Sequence, residues 1–136
     1  MNKKAIPGVF LFIGLLLIPV KTMGEEVLNE VYLLMREREL FAFSAVGDRW
    51  VSLDLRTKER VLESKYDGHV AVAVTNFRVL GFSALTSRWA EEKLMVGETM
   101  VSLEAEGNVG AVITNLRAFG FSASAGRWIE KRFDLK

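Results

Sequence analysis

Between residues 58 and 96 the hydrophobic rhythm of the chain changes four times, and each change marks an element. Residues 59–66 alternate loosely between polar and apolar, which predicts a strand covered on one side. Asp67 and Gly68 form a turn pair. Residues 69–74 are apolar almost throughout, as in a strand covered on both faces. Thr75 and Asn76 turn the chain again, since Asn bonds its own backbone and tolerates turn conformations. Residues 78–84 form the third strand, and Thr86 and Ser87 lead into a fourth over 88–95. There Ala90, Glu91, Glu92, Lys93 and Leu94 mix charge with apolar positions, a pattern that keeps an exposed sheet edge from pairing with other chains. The fourth strand is therefore expected at the outer edge of a sheet and the apolar second strand in its interior.

The pattern returns. Residues 58–96 align with 97–135 without a gap, about a third of the positions being identical. Glu59 meets Glu98, Gly68 meets Gly107, Val70 meets Val109, and Thr75 and Asn76 meet Thr114 and Asn115. Arg78 meets Arg117, and Glu91 meets Glu130. The tryptophans stand at 50, 89 and 128, a period of 39 both times. The same shift places residues 31–50 on the pattern in drifted form, with Arg36 and Glu37 in place of Thr-Asn and Glu39 in place of Arg. The opening segment of this first copy falls on residues 20–29. A period in this range marks a supersecondary unit that buries its apolar faces by stacking on copies of itself.

Four antiparallel strands per 39 residues, edge strand last, describe a β-propeller blade. The expected fold class is all-β: three four-stranded antiparallel propeller-type blades, at about 20–57, 58–96 and 97–135, after an N-terminal leader. The run Arg78, Val79, Leu80, Gly81, Phe82, Ser83, Ala84, then a turn and Arg88-Trp89, resembles propeller repeats generally. It is most similar to the tryptophan-docking repeats of PQQ-like propellers. That family carries an Ala-x-Asp-type turn followed by Thr-Gly and Trp. Here Phe-Ser-Ala stands instead, Thr86 and Gly126 are fragments of the Thr-Gly pair, and Trp directly follows Arg. The resemblance covers the layout of about 25–136. It implies a propeller-type blade and no quinone cofactor, whose ligands have no match here.

Propellers usually close with 4–8 blades, and three are present. Blades one and three would each leave an apolar face in water. Several hundred Å2 per face at about 25 cal/mol per Å2 is on the order of 10 kcal/mol unrealised, comparable with the stability of a whole domain. Self-association removes the deficit most directly: a homodimer, blade three of one chain on blade one of the other, makes a six-bladed ring with two-fold symmetry. A three-sheet monomer with barrel or prism closure, a hetero-oligomer and a remnant of a longer propeller are the alternatives.

Residues 1–24 differ from the rest. Lys3 and Lys4 precede an apolar stretch over 5–20, then come Lys21, Thr22, Met23, Gly24 and the acidic pair Glu25 and Glu26. This is the layout of a secretory signal peptide. The stretch is short for a spanning helix and is interrupted by Pro7 and Pro19. An uncleaved membrane anchor over 5–20 is the alternative. Both place the three-repeat domain, 25–136, outside the cytoplasm, periplasmic or secreted. The chain carries +1 overall, so without the leader's three lysines the remainder carries −2. A slightly acidic body has no electrostatic footprint for nucleic acid. Cysteine is absent, which excludes disulfides, thiolate metal sites and a cysteine nucleophile.

Candidate chemistry is sparse. Trp50, Trp89 and Trp128 recur at one blade position, which points to packing between blades. Arg49, Arg88 and Arg127 stand beside them as cation–π or ion-pair braces, with Glu91 and Glu130 as candidate partners. The sharper reading is three equivalent Arg/Trp pockets for a sugar or carboxylate; some sugar-binding lectins are propellers assembled from short chains of a few blades. Arg78 and Arg117, after the Thr-Asn turns, cap turn carbonyls or pair with acids, and are weaker binding candidates. Ser44, Ser83 and Ser122 satisfy neighbouring backbone, and Phe43, Phe82 and Phe121 belong to the core. His69 is the only histidine and is Asn108 in the next copy, a poor ligand or general base. With no metal set, phosphate loop or nucleophile elbow, the expectation is a non-enzymatic structural or protein-interaction module without cofactor or metal. Its partners would be a second copy, a protein or a glycan, with a membrane only through an uncleaved leader.

Overall fold

The computed structural model describes residues 28–134, and every regular element among them is a strand. Eleven antiparallel strands form three sheets. The first sheet is β1 (Val31–Arg36), β2 (Glu39–Ser44) and β3 (Arg49–Asp54) in chain order. The second is β4 (Val61–Asp67), β5 (Val70–Thr75), β6 (Arg78–Ser83) and β7 (Arg88–Lys93). The third is β8 (Met100–Glu106), β9 (Val109–Thr114), β10 (Arg117–Ser122) and β11 (Arg127–Arg132). In the two complete sheets the apolar second strand is interior and the charged fourth strand is an edge, as the pattern predicts. The first copy's opening segment, residues 20–29, lies almost wholly outside the described residues, as does the leader.

The repeat extends to the irregular positions. Leu62 and Val101, 39 residues apart, are both bulged out of register at the start of their sheets' first strands. Positive φ recurs at Gly68 and Gly107, at Lys58 and Gly97, and at Asp48, Ser87 and Gly126. These are turn positions in left-handed conformation, so the sequence drifts there between glycine and short or polar side chains.

Equivalent strands face one another across the sheets: β1 lies on β4 and β5, β4 and β5 lie on β8 and β9, and β3, β7 and β11 stack in turn. Alternation along each strand gives every sheet two faces. In β5 the valines 70, 72 and 74 point one way and Ala71 and Ala73 the other, and all six residues of the strand are buried. The valines and Val79 pack with Leu103, Val112, Phe119, Phe121 and Trp128 of the third sheet. On the opposite face, Ala71 and Phe82 pack with Val31 and Ala42, and Ala73 and Leu80 with Leu40. The middle sheet is thus the core, roofed by one neighbour on each side.

Candidate functional site

A buried ion cluster follows from four residues that the second and third copies share. Thr75 ends β5, and its hydroxyl accepts the N–H groups of Phe77 and Arg78 at 3.0 Å, which makes the turn into β6. Arg78, the first residue of β6, then points back across the sheet. Its Nε and Nη2 donate to the two carboxylate oxygens of Glu59 at 2.8 and 3.0 Å. Arg56 N–H and the Thr75 hydroxyl fill the remaining acceptor sites of Glu59 at 2.8 and 2.6 Å. Arg78 also pairs with Glu91 on β7 and donates to the Asp54 carbonyl, the last residue of the preceding sheet, at 3.0 Å. The third copy repeats every bond: Arg117 to Glu98 at 2.9 and 2.9 Å, to Glu130 at 2.7 Å and to the Lys93 carbonyl at 2.9 Å. Thr114 and Met95 N–H complete Glu98 at 2.6 and 2.9 Å.

The Glu59 and Glu98 side chains are 0% exposed. Burial pushes the Glu98 carboxyl up, but the Arg117 guanidinium, the Met95 N–H and the Thr114 hydroxyl outweigh it and bring it to about 2. Glu59 is likewise lowered: burial is overcome by Arg78, the Arg56 N–H and Thr75. Arg78 is raised, Glu59 and Glu91 outweighing burial, and Arg117 is raised chiefly by Glu98. With every oxygen of Glu59 and Glu98 taken and the guanidinium locked between them and its other partners, the buried part of each cluster holds strands together. Each clamps a sheet to the one before it.

Two further kinds of bond, each made twice, tie neighbouring sheets. Ser44 Oγ donates to the Ala84 carbonyl at 2.6 Å, and Ser83 Oγ to the Ala123 carbonyl at 2.5 Å. Trp89 Nε1 donates to the Val51 carbonyl at 3.1 Å, and Trp128 Nε1 to the Ala90 carbonyl at 3.2 Å. The serine hydroxyls therefore serve the backbone of the next repeat, and these two tryptophans lie between sheets. Trp128 is 7% exposed, whereas Trp50, at the same position of the first sheet, is 52% exposed.

The candidate Arg/Trp pairs separate. Arg49, Arg88 and Arg127 are exposed and immediately precede their tryptophans on a strand, so the two side chains leave opposite faces. Glu91 and Glu130 are partners of Arg78 and Arg117 rather than of Arg88 and Arg127. Among the described residues the cation–π contact is at Arg117, 4.4 Å over the Phe119 ring. His69 Nδ1 lies 2.5 Å from Asn108 Oδ1 and its N–H donates to the Gly107 carbonyl at 2.8 Å, again between repeats.

Among the described residues, the stack leaves its two end faces open. On the first sheet, Tyr32, Leu34, Phe41, Phe43 and Trp50 share the face turned away from the second. Their counterparts Ala71, Ala73, Leu80 and Phe82 are completely buried. A depression of about 370 Å3 lined by Leu34, Arg36, Phe41 and Trp50 opens there. On the third sheet, Val109, Ala111, Ile113, Ala118, Gly120 and Ile129 share the far face, with Val109 and Ile129 57% and 61% exposed. The blade count points to an apolar face on blades one and three; the individual residues were not among the sequence candidates, although positions 109, 111, 113 and 129 are apolar on a sheet with no successor among the described residues. The chain matches no protein-family model and no curated protein.

Proposed function

We propose that this chain is a non-enzymatic, β-propeller-like structural and protein-interaction module that acts outside the cytoplasm and completes its stack with a second copy. What supports this reading is the chemistry of the two end faces. Each carries the same apolar positions that bury the middle sheet, and in the described residues each meets nothing. Of the candidate polar residues, Arg78 and Arg117 are consumed within the stack, and Arg49, Arg88 and Arg127 stand exposed apart from their tryptophans. The leader-like segment 1–24 supports the extracytoplasmic placement. Light scattering coupled to size exclusion tests the assembly: a mass of two chains is expected, and a well-folded monomer refutes it.

A carbohydrate-binding propeller is the second reading, and the observation in its favour is the half-exposed Trp50 beside Arg36, Phe41 and Leu34. An exposed aromatic face suits stacking on a sugar ring. The three equivalent sites of that reading reduce to one, because Trp89 and Trp128 are spent between sheets. Tryptophan fluorescence that shifts on titration with simple sugars, and fails to shift in Trp50→Phe, would favour it over the scaffold.

A further inference from the structure

We infer that the far face of the third sheet receives the open face of the first sheet of a second copy, in the register already used twice inside the chain. The inference rests on the assembly reading above and adds the geometry of the junction. Between the second and third sheets, the Phe121 ring sits on Gly81 so closely that a Cβ there would lie 2.8 Å from it. Ser83 Oγ and Trp128 Nε1 close that interface onto the carbonyls of Ala123 and Ala90. Moving each of these residues one repeat along names the junction. Gly120 replaces Gly81, and a Cβ on Gly120 would meet nothing nearer than the Ile129 carbonyl at 4.0 Å. That vacancy takes the ring of the partner's Phe43. Ser122 Oγ, which in the isolated chain accepts the Ala125 N–H at 3.2 Å, lies 3.1 Å from Ser124 Oγ and reaches no other sheet, donates to the carbonyl of the partner's Ala45. The indole N–H of the partner's Trp50 donates to the Ile129 carbonyl.

The size of the junction selects the closed form. The smaller of the two faces, the first sheet's three strands of six residues each, covers on the order of 300 Å2 at about 4.8 Å between strands and 3.3 Å per residue. One such junction falls well short of the roughly 600–1,000 Å2 per partner of a stable interface, and two together reach its lower end. Head-to-tail contact is therefore stable when both ends engage at once, as in a two-chain ring, and weak as an open filament.

The chain has no cysteine, so a cysteine pair reads the register directly. The full-length chain carrying Ala45→Cys and Ser122→Cys, mildly oxidised, is expected to give covalent dimers on a non-reducing gel, and Ser122→Cys alone is expected to give none. Gly120→Val is the second variant. Its side chain has room within one chain, so the circular dichroism of the fold is expected to stay unchanged. The dimer dissociation constant is expected to rise about tenfold per junction and about a hundredfold for the ring. A wild-type dimer that neither cross-links nor responds to Gly120→Val overturns the register and leaves the assembly reading standing. A wild-type monomer with Trp50 shielded from acrylamide assigns the first sheet's face to residues 1–27 of the same chain and overturns both. Equal cross-linking by Ser122→Cys alone indicates a face-to-face dimer and also overturns the inference.

Discussion

Replacing Arg117 with methionine strands a carboxylate in the interior, and the consequence can be worked out in both size and pH dependence. The Glu98 side chain is fully buried and loses both guanidinium bonds, at 2.9 Å each, keeping the Thr114 hydroxyl and Met95 N–H. The Lys93 carbonyl loses its donor as well. Breaking a buried pair from one side costs about 3–5 kcal/mol, and the half-exposed Glu130 contact adds under about 1. A loss of about 4 kcal/mol at pH 7 is a large part of the roughly 5–15 kcal/mol that holds a domain together. In the wild type, Glu98 falls from 4.5 to about 2 on folding, so its contribution is complete above 4.5 and disappears as pH drops towards 2. Without the guanidinium, burial is left to raise the carboxyl, and the variant recovers stability as pH falls through the raised value. The gap between the two proteins is therefore expected to narrow between pH 7 and pH 3. Urea unfolding at fixed protein concentration measures it. The double variant Glu98→Leu, Arg117→Met, which removes both charges, is expected to cost less than Arg117→Met alone. A loss below about 1 kcal/mol at pH 7, or an equal loss at pH 3, would refute the reasoning.

Other changes read other parts of the stack. Gly81→Val drives a side chain into the Phe121 ring and is expected to cost at least about 1–3 kcal/mol in thermal or urea unfolding, whereas Gly120→Val leaves the single-chain fold intact. Ser83→Ala removes the donor from the buried Ala123 carbonyl and is expected to cost about 1–2 kcal/mol by the same assay, more than Ser122→Ala. In a sample dilute enough to be single chains, acrylamide quenches Trp50 first, so Trp50→Phe removes most of the quenchable fluorescence. Ser87→Gly relieves a φ of 57° at a position where the third copy already has Gly126, and is expected to raise the melting temperature slightly.

The 39-residue period, the turns and the edge strands were legible because they depend on residues close together in the chain. Gly68 and Gly107 mark turns, and the valines of β5 mark a strand with two covered faces, wherever the sheet later packs. The ion cluster was legible as shared letters and not as a site. Glu59, Thr75, Arg78 and Glu91 are 16, 3 and 13 residues apart in order, and only the folded hairpins bring them together. The signal was present: charged residues kept in both copies while their neighbours drifted. Arg88 and Trp89 misled in the opposite way. Adjacency in sequence suggested a joint pocket, and the two-residue period of a strand sends them to opposite faces.

The drift of the first copy has a physical reason within this scheme. The cluster needs a glutamate in the connector and a carbonyl from the preceding sheet, as Asp54 serves Arg78 and Lys93 serves Arg117. At the matching places the first copy has Val20 for the glutamate and, 24 residues before position 39, Leu15. A buried arginine at 39 would lack that glutamate and would cost several kcal/mol. The sequence instead sets Glu39 opposite Arg36 across the first hairpin, with Arg36 exposed. In the proposed two-chain ring, the junction would then be made by ring on glycine and by the Ser122 and Trp50 bonds, without the charged clamp of the internal interfaces. It would be the weakest interface of the proposed ring. On dilution or mild heating it opens first, each chain keeping its three sheets, so loss of the dimer is expected to precede loss of strand structure.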